Sequence, residues 1–175
     1  MDDKKEFAKR KNIRYKDYNY NNEGVYFLTI CTKDHKCILS EIISHIGNEG
    51  PSILDSYDCV HSELTEKGKI ADKYIRQLNE FYDNINVEKY VIMPNHIHIL
   101  LSILENDSAE GKTQNSLISN FVSTFKRFCN KEYGENIWQS RSYDHIIRDH
   151  NDHERHITYI LENPMRWRFD DLYCL

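Results

Sequence analysis

The sequence predicts an α+β domain, in which strands and helices share one core. One strand and two helices carry this prediction. Residues 96–103 alternate between two sets of side chains, as the two faces of a strand do. Residues 65–81 and 116–133 repeat their apolar side chains at helical spacing. A chain of 175 residues with 39% hydrophobic content is sufficient for one globular domain with its own core.

The other strands follow from runs of β-branched and aromatic residues bounded by turn residues. They are predicted over residues 24–32, 37–39, 57–61, 87–93 and 143–148. Gly47, Gly50 and Pro51 mark a loop between the second and third of them. Pro94 and Asn95 separate the strand over 87–93 from the strand that follows, so the two are either paired across a tight turn or one bent strand with a bulge.

Three helices are predicted, and the last one carries the most chemistry. A polar linker over 105–115 leads into the second helix, which ends at Gly134. The last helix begins with a capping box at Asn151 and Glu154 and ends near Glu162, because Pro164 disfavours helical geometry at the residue before it. Its predicted core-facing stripe consists of Ile157, Ile160 and Leu161. Its opposite side holds Asp152, His156, Tyr159 and Asn163.

Charge distribution and cysteine content indicate what the protein could bind and whether its thiols are reduced. The net charge is −5, yet basic residues cluster in three places, which suggests contacts with nucleic acid or simply solvated surfaces. The clusters include Arg10, Lys11 and Arg14 near the N-terminus, Lys126, Arg127 and Lys131 in the second helix, and Arg166 with Arg168. Five cysteines without a Cys-x-x-Cys pair indicate reduced thiols. With no apolar run of 18 residues and no apolar leader, the chain is predicted to be cytoplasmic and not membrane-bound.

Two histidines share one face of the strand over 96–103. His96 and His98 are two residues apart, so their side chains lie about 7 Å apart on the same face, while the other face is aliphatic. From there two imidazoles can converge on one metal ion. The alternative is that they are ordinary half-exposed histidines.

Tyr159 is the candidate nucleophile. It lies off the predicted apolar stripe of its helix, so it is either a surface tyrosine or a functional one. Asn163 stands one helical turn further on and could reach the same ion. A phenol with an ordinary pKa of about 10 is a poor nucleophile until it is activated, and a divalent ion beside it could polarise a phosphate. Such a nitrogen and oxygen shell suits Mn²⁺ or Mg²⁺, with Zn²⁺ possible.

At this point the sequence resembles a known family, the single-tyrosine HUH transposases, and most closely the REP-associated tyrosine transposases of bacterial insertion elements and their domesticated relatives. The resemblance covers about residues 10–169. Its markers are residues 10–14 (Arg-Lys-Asn-Ile-Arg), 26–32, 91–98 (Val-Ile-Met-Pro-Asn-His-Ile-His), 123–126, 138–139, 143–149 and 159–164 (Tyr-Ile-Leu-Glu-Asn-Pro). Each motif is weak alone, but together and in this order they are specific.

The resemblance implies a ferredoxin-like antiparallel sheet with packed helices. It implies that His96 and His98 bind the metal, that Asn163 completes the metal shell and that Tyr159 attacks DNA. The implied reaction cleaves single-stranded DNA near a hairpin through a 5′-phosphotyrosine and rejoins it by reversal. The domain would occupy residues 24–169, between a basic arm over 1–23 and a tail over 170–175. The protein would be a monomer or homodimer associated with the bacterial nucleoid.

Two other functions remain open from the residues. The same fold could recognise structured DNA or RNA without cutting it, although a disused site has no reason to keep His96, His98 and Tyr159. Alternatively, a metal-bound water could hydrolyse the substrate, with Tyr159 as a bystander. A covalent protein–DNA adduct would distinguish all three. His150, His153 and His156 form a further metal candidate, which is weak because a spacing of three drifts around a helix.

Overall fold

The structure is a computed structural model that describes residues 22–44, 60–104 and 116–173. The predicted basic arm up to residue 21, the loop at residues 47–51 and the linker over 105–115 lie outside these ranges. The strands are β1 (Gly24–Cys31), β2 (Ser40–Ser44), β3 (Val60–Leu64), β4 (Ile85–Ile92), β5 (His96–Ile103) and β6 (Tyr143–Ile146). The helices are α1 (Glu66–Phe81), α2 (Leu117–Tyr133) and α3 (His150–Arg166).

Four strands form one antiparallel sheet in the spatial order β4-β5-β1-β6. With α1 between β1 and β4, and α2 between β5 and β6, the chain follows the βαββαβ path of a ferredoxin-like fold. β2 and β3 form a separate two-stranded sheet inserted before α1. The predicted α+β class and the ferredoxin-like sheet are therefore confirmed.

Local sequence explains where the first two helices begin and end. The side chain of Thr65 caps α1 by accepting a hydrogen bond from the N–H of Gly68, and Ser116 caps α2 through the N–H of Ser119. α2 stops at Gly134, which has a positive φ of 73° that favours glycine over residues with a Cβ atom. Both helices match the predicted bounds closely.

β4 and β5 are a hairpin rather than one bent strand, which resolves the alternative that the sequence left open. The N–H of Met93 donates to the carbonyl oxygen of His96 across the tight turn. An irregularity in the pairing of β4 lies between Val87 and Lys89, well away from this turn. The short strands before α1 begin about three residues later than predicted, at Ser40 and Val60.

The sheet has two different faces. The odd-numbered side chains of β5 lie under α1 and α2, where Ile97, Ile99 and Leu101 are fully buried together with Phe121 and Phe125 of α2. The other face carries the histidines and lies against α3, where the apolar cluster is small. That cluster consists of Phe27, Leu100 and Ile160.

α3 departs from the predicted helix at both of its ends. It begins at His150 with Asp149 as its N-cap, not at Asn151, because the Asp149 carboxylate accepts the N–H of Asp152. It continues through Pro164 to Arg166, so the expectation that it ends near Glu162 is wrong. Proline within a helix removes one hydrogen bond but does not have to end it.

The predicted apolar stripe of α3 is also partly wrong. Ile160 is buried as expected, but Leu161 is 57% exposed. Asp152 and Asn163, predicted to lie opposite the core, are buried at 7% and 1% exposure. The inward side of α3 therefore combines Ile160 with polar side chains that have hydrogen-bond partners inside the fold, so apolar periodicity alone does not identify the whole of that side.

The predictions about reduced cysteines and about membrane spans can be compared with the structure. Cys31 and Cys129 are free, whereas Cys37 forms a disulfide, so the expectation of reduced thiols is wrong for Cys37. Within the ranges that the structure describes, no helix combines the length and the apolar character that a membrane span requires.

Candidate active site

The histidine pair lies at the centre of the sheet, beneath α3. His96 is fully buried and His98 is 3% exposed, so the alternative of half-exposed histidines does not apply. The two ring centroids are 4.4 Å apart. In the neighbouring strand β1, Cys31 stands opposite His96 and Thr29 opposite His98. The alternation read from the sequence therefore brings both imidazoles to one site.

Neighbouring side chains hold each imidazole by its Nδ1 atom. His96 Nδ1 lies 2.8 Å from the Oδ1 atom of Asn95, and His98 Nδ1 lies 2.9 Å from the hydroxyl of Thr29. Because an amide oxygen only accepts hydrogen bonds, the proton of neutral His96 must be on Nδ1, which leaves a lone pair on Nε2. The Nε2 atoms of both rings are buried without a hydrogen-bond partner.

Burial keeps both histidines neutral at neutral pH. It lowers the pKa of His96 to about 4 and that of His98 well below its usual range. A neutral ring with an unused Nε2 lone pair is the form in which histidine binds metals, and His98 takes that form when its Nδ1 proton is donated to the Thr29 hydroxyl.

Asn163 reaches the same site from α3. Its side chain is almost fully buried, and its Nδ2 atom donates to the Oδ2 atom of Asp170 at 3.2 Å. This orientation leaves Asn163 Oδ1 buried with no hydrogen-bond partner. Buried polar atoms without partners are costly and uncommon. Three such atoms at one site, on His96, His98 and Asn163, fit the donor set of a cation.

Tyr159 lies beside the histidines with its ring open to solvent on one side. The ring centroid is 5.1 Å from that of His98 and 6.0 Å from that of Phe27, and the residue is 39% exposed. Its hydroxyl donates to Asp170 Oδ2 at 3.2 Å. Burial and the adjacent Asp170 carboxylate raise the pKa of Tyr159 to about 12, so the phenol is protonated at neutral pH.

A groove of about 760 Å³ leads away from Tyr159 and His98. It passes between α2 and the loop before β6, where Ser123, Arg141 and Tyr143 contribute to its lining. Most of the residues that line it carry polar side chains, and the groove is open, so an extended chain could lie in it with one end at Tyr159.

The basic residues predicted to bind nucleic acid differ from one another in their exposure and in the groups that they contact. Lys126 lines the groove, but its ammonium group donates to the carbonyl oxygens of Gln139 and Arg141 at 2.8 and 3.3 Å. Burial lowers the pKa of Lys126 to about 8. Arg127 and Lys131 are exposed, and the Arg127 guanidinium lies over the ring of Phe128. Arg10, Lys11 and Arg14 lie outside the described residues.

Sequence reasoning missed three members of the site. Asp170 falls in the predicted tail, yet it contacts Tyr159 and Asn163. Phe27 packs its ring against those of His98, His156 and Tyr159. Asn95 is predicted only as a turn residue, although its position directly before His96 in the family-like motif is a signal that could have identified it.

The weak metal candidate formed by His150, His153 and His156 is not assembled. His153 pairs with Glu88 of β4, and His156 pairs with the backbone and carboxylate of Asp152. His156 instead stacks on His145, whose Nε2 atom is 2.9 Å from Asp152. Helical spacing of three sends these side chains to different neighbours.

Comparison with known proteins identifies sequences that are similar to this chain. No protein-family model matches the sequence. A Haemophilus influenzae protein described as uncharacterized is 29% identical over 182 residues, which span 94% of this chain and 93% of that protein. A second H. influenzae protein, named "Putative REP-associated tyrosine transposase", is 34% identical over 82 residues, or 43% of this chain and 47% of that protein. The Escherichia coli REP-associated tyrosine transposase is 29% identical over 80 residues, or 46% of this chain and 44% of that protein.

A solved structure of a REP-associated tyrosine transposase bound to a REP hairpin matches with a TM-score of 0.55 and 20% identity. The match covers 87% of this chain and 73% of that one, and at this identity it concerns the fold. The chain thus shares the fold of that REP-associated tyrosine transposase. It is a relative of the REP-associated tyrosine transposases, as the motifs predicted, although the sequence matches span less than half of the two relatives that carry this name.

Proposed function

We propose that this protein is a metal-dependent transesterase that cleaves and rejoins single-stranded DNA near hairpins through a phosphotyrosine. One observation carries the proposal. Two buried imidazoles with unpaired Nε2 atoms lie next to a partly exposed tyrosine, whose ring centroid is 5.1 Å from that of His98. A purely structural histidine pair would be expected to use both ring nitrogens in hydrogen bonds.

His96, His98 and Asn163 would hold the cation through the three atoms that have no hydrogen-bond partner. We infer Mn²⁺ or Mg²⁺, because an amide oxygen beside imidazoles suits a hard or intermediate ion. When bound, the cation supplies positive charge that polarises the scissile phosphate and stabilises the leaving oxygen. Asn95 and Thr29 keep the two rings oriented by holding their Nδ1 atoms.

Tyr159 would form the covalent bond. Its hydroxyl oxygen attacks the phosphorus and loses its proton, and the bond from phosphorus to the 3′-oxygen breaks. The electron pair leaves with that oxygen, which takes up a proton and becomes a free 3′-hydroxyl. The 5′-phosphate stays on the tyrosine as a diester, so the reverse attack by a 3′-hydroxyl rejoins DNA without an external energy source.

The proposed substrate is a single strand next to a hairpin, by analogy with the relative whose structure holds a REP hairpin. The open groove beside Tyr159 could take the unpaired strand. Basic side chains of the N-terminal arm, together with Arg127 and Lys131, would contact phosphates. The alternative of a binding module without cleavage predicts DNA binding but no adduct.

The test replaces the tyrosine hydroxyl alone. The parent protein, Mn²⁺ and an end-labelled single-stranded hairpin should give a covalent adduct that migrates slowly on a denaturing gel. Tyr159→Phe should abolish the adduct, while circular dichroism and Mn²⁺ binding stay as in the parent. A peptide carrying phosphotyrosine at Tyr159 should be recovered from the parent by mass spectrometry.

Tyr143→Phe is the matched control, because Tyr143 lines the same groove and is also partly exposed. It should keep forming the adduct. If Tyr143→Phe loses the adduct and Tyr159→Phe keeps it, the nucleophile has been assigned to the wrong tyrosine. If both variants cleave DNA and the parent forms no adduct, hydrolysis by water replaces the proposed mechanism.

A further inference from the structure

Asp170 follows α3 and its carboxylate accepts three hydrogen bonds. The hydroxyl of Tyr159 and the Nδ2 atom of Asn163 both donate to Oδ2 at 3.2 Å. The N–H of Leu172 donates to Oδ1 at 2.7 Å. Asp170 is thus held rigidly between the candidate nucleophile, the candidate amide ligand and its own backbone.

The carboxylate also faces the histidine pair. Ligand atoms of His96, His98 and Asp170 all lie within 4.8 Å of one another. A carboxylate has about four positions at which it can accept a hydrogen bond or bind a cation. Three are used by the hydrogen bonds to Asp170, so about one remains open without any of them being broken.

We propose that Asp170 is the anionic ligand of the divalent cation at the His96–His98 pair, an inference that rests on the proposed function. Two neutral imidazoles and an amide would leave a buried double charge without a counter-charge. A carboxylate offsets half of that charge, and two histidines with one carboxylate are a known ligand set that leaves coordination positions open. The open positions are where a phosphate oxygen can bind.

Asp170 would then couple the cation to the rest of the site. Its hydrogen bond from Asn163 Nδ2 turns the amide so that Oδ1 is left free, and its hydrogen bond from Tyr159 keeps the nucleophile next to the ion. The segment after α3 is secured in turn by Asn95, whose Nδ2 atom donates to the carbonyl oxygen of Leu172 at 2.7 Å. Residues 170–172 are therefore part of the active site rather than a tail.

The experiment is a titration of the full-length chain with MnCl₂, followed by calorimetry and without DNA. Asp170→Asn keeps an oxygen for the N–H of Leu172 but removes the charge, so the fold should survive. Loss of an outer-shell partner commonly costs about 10–100-fold in metal affinity, so loss of a direct charged ligand should weaken Mn²⁺ binding by about 100-fold or more. Glu80→Gln, which removes an exposed carboxylate of α1 on the opposite face of the sheet, should bind Mn²⁺ within about two-fold of the parent, because surface charges contribute little.

A second variant distinguishes a ligand from a residue that only positions Asn163. Asp170→His would replace a carboxylate with an imidazole, which favours Zn²⁺ over Mn²⁺. If Asp170 is a ligand, this variant should keep tight Zn²⁺ binding while losing Mn²⁺ binding. Equal losses for both ions would overturn the assignment, as would Asp170→Asn with the Mn²⁺ affinity of the parent.

His96→Ala separates failure of this inference from failure of the proposed function. If His96→Ala loses Mn²⁺ binding and Asp170→Asn does not, the cation site stands and Asp170 is not its ligand. If neither variant loses Mn²⁺ binding, the histidine pair is not the cation site, and both the inference and the metal dependence proposed above are wrong.

Discussion

The sheet face beneath α1 and α2 and the face beneath α3 are both well buried, but they bury different chemistry. Under α1 and α2, the strand residues Ile97, Ile99 and Leu101 meet the aromatic rings of α2. Under α3, the same strand buries His96 and His98 among polar partners, with only a small apolar cluster around Leu100. Alternate residues of β5 therefore stabilise the apolar core on one face of the sheet and form the candidate site on the other.

One face of the sheet stabilises the fold, whereas the other gives up part of that stability. Burial of apolar side chains stabilises the folded chain in proportion to the area removed from water. Burial of polar atoms without partners has the opposite effect, and each such atom costs about 1–3 kcal/mol. The Nε2 atoms of His96 and His98 and the Oδ1 atom of Asn163 carry this cost on the α3 face. Local conflicts of this kind tend to mark functional sites.

The largest expected effect comes from breaking the apolar face. Phe121→Ala removes a fully buried ring, and the cavity it leaves should lower the free energy of unfolding by about 3–5 kcal/mol. His98→Ala also removes a buried ring, but this ring carries an unpaired polar atom, so the loss should be about 1–2 kcal/mol. Urea denaturation measures both. Equal losses of unfolding free energy in the two variants would mean that the α1–α2 face and the α3 face of the sheet contribute alike to stability.

A smaller effect should follow from disturbing the α3 face without touching a proposed ligand. Asn95→Ala removes the acceptor that holds the proton of His96 on Nδ1, and such outer-shell losses reduce metal affinity by about 10–100-fold. Calorimetric titration with Mn²⁺ measures the change. Asn86→Ala, at an exposed asparagine of β4, is the control and should bind as the parent does. Unchanged binding by Asn95→Ala would show that the Asn95 contact does not tune His96.

The smallest effect concerns neither face but the basic arm. Deleting residues 1–16 should leave the unfolding midpoint unchanged and weaken binding to a single-stranded hairpin mainly at low salt. Each phosphate contact to a single strand contributes about −0.7 to the slope of log affinity against log salt, so the deletion should flatten that slope by about this amount per lost contact. Fluorescence anisotropy at several salt concentrations measures it. A slope equal to that of the full chain would remove the arm from the DNA interface.

Much of the fold was predictable because its signals are local. The alternation of β5, the spacing of α1 and α2, and their caps at Thr65, Ser116 and Gly134 depend on residues within one or two turns of each other. The same alternation put His96 and His98 on one face. Strand pairing could not be read in this way, because it depends on contacts between residues as distant as Thr29 and His98.

Local sequence patterns were enough to predict the α+β class, the histidine pair on one strand face and the place of Tyr159 one turn before Asn163. The burial of Asp152 and Asn163 and the exposure of Leu161 depend on the packed fold, because only there do those polar groups find hydrogen-bond partners. The packed fold also brings Asp170 into the site. No periodicity links residue 170 to residues 96 and 98, and only the folded path of the chain after α3 brings their ligand atoms within 4.8 Å.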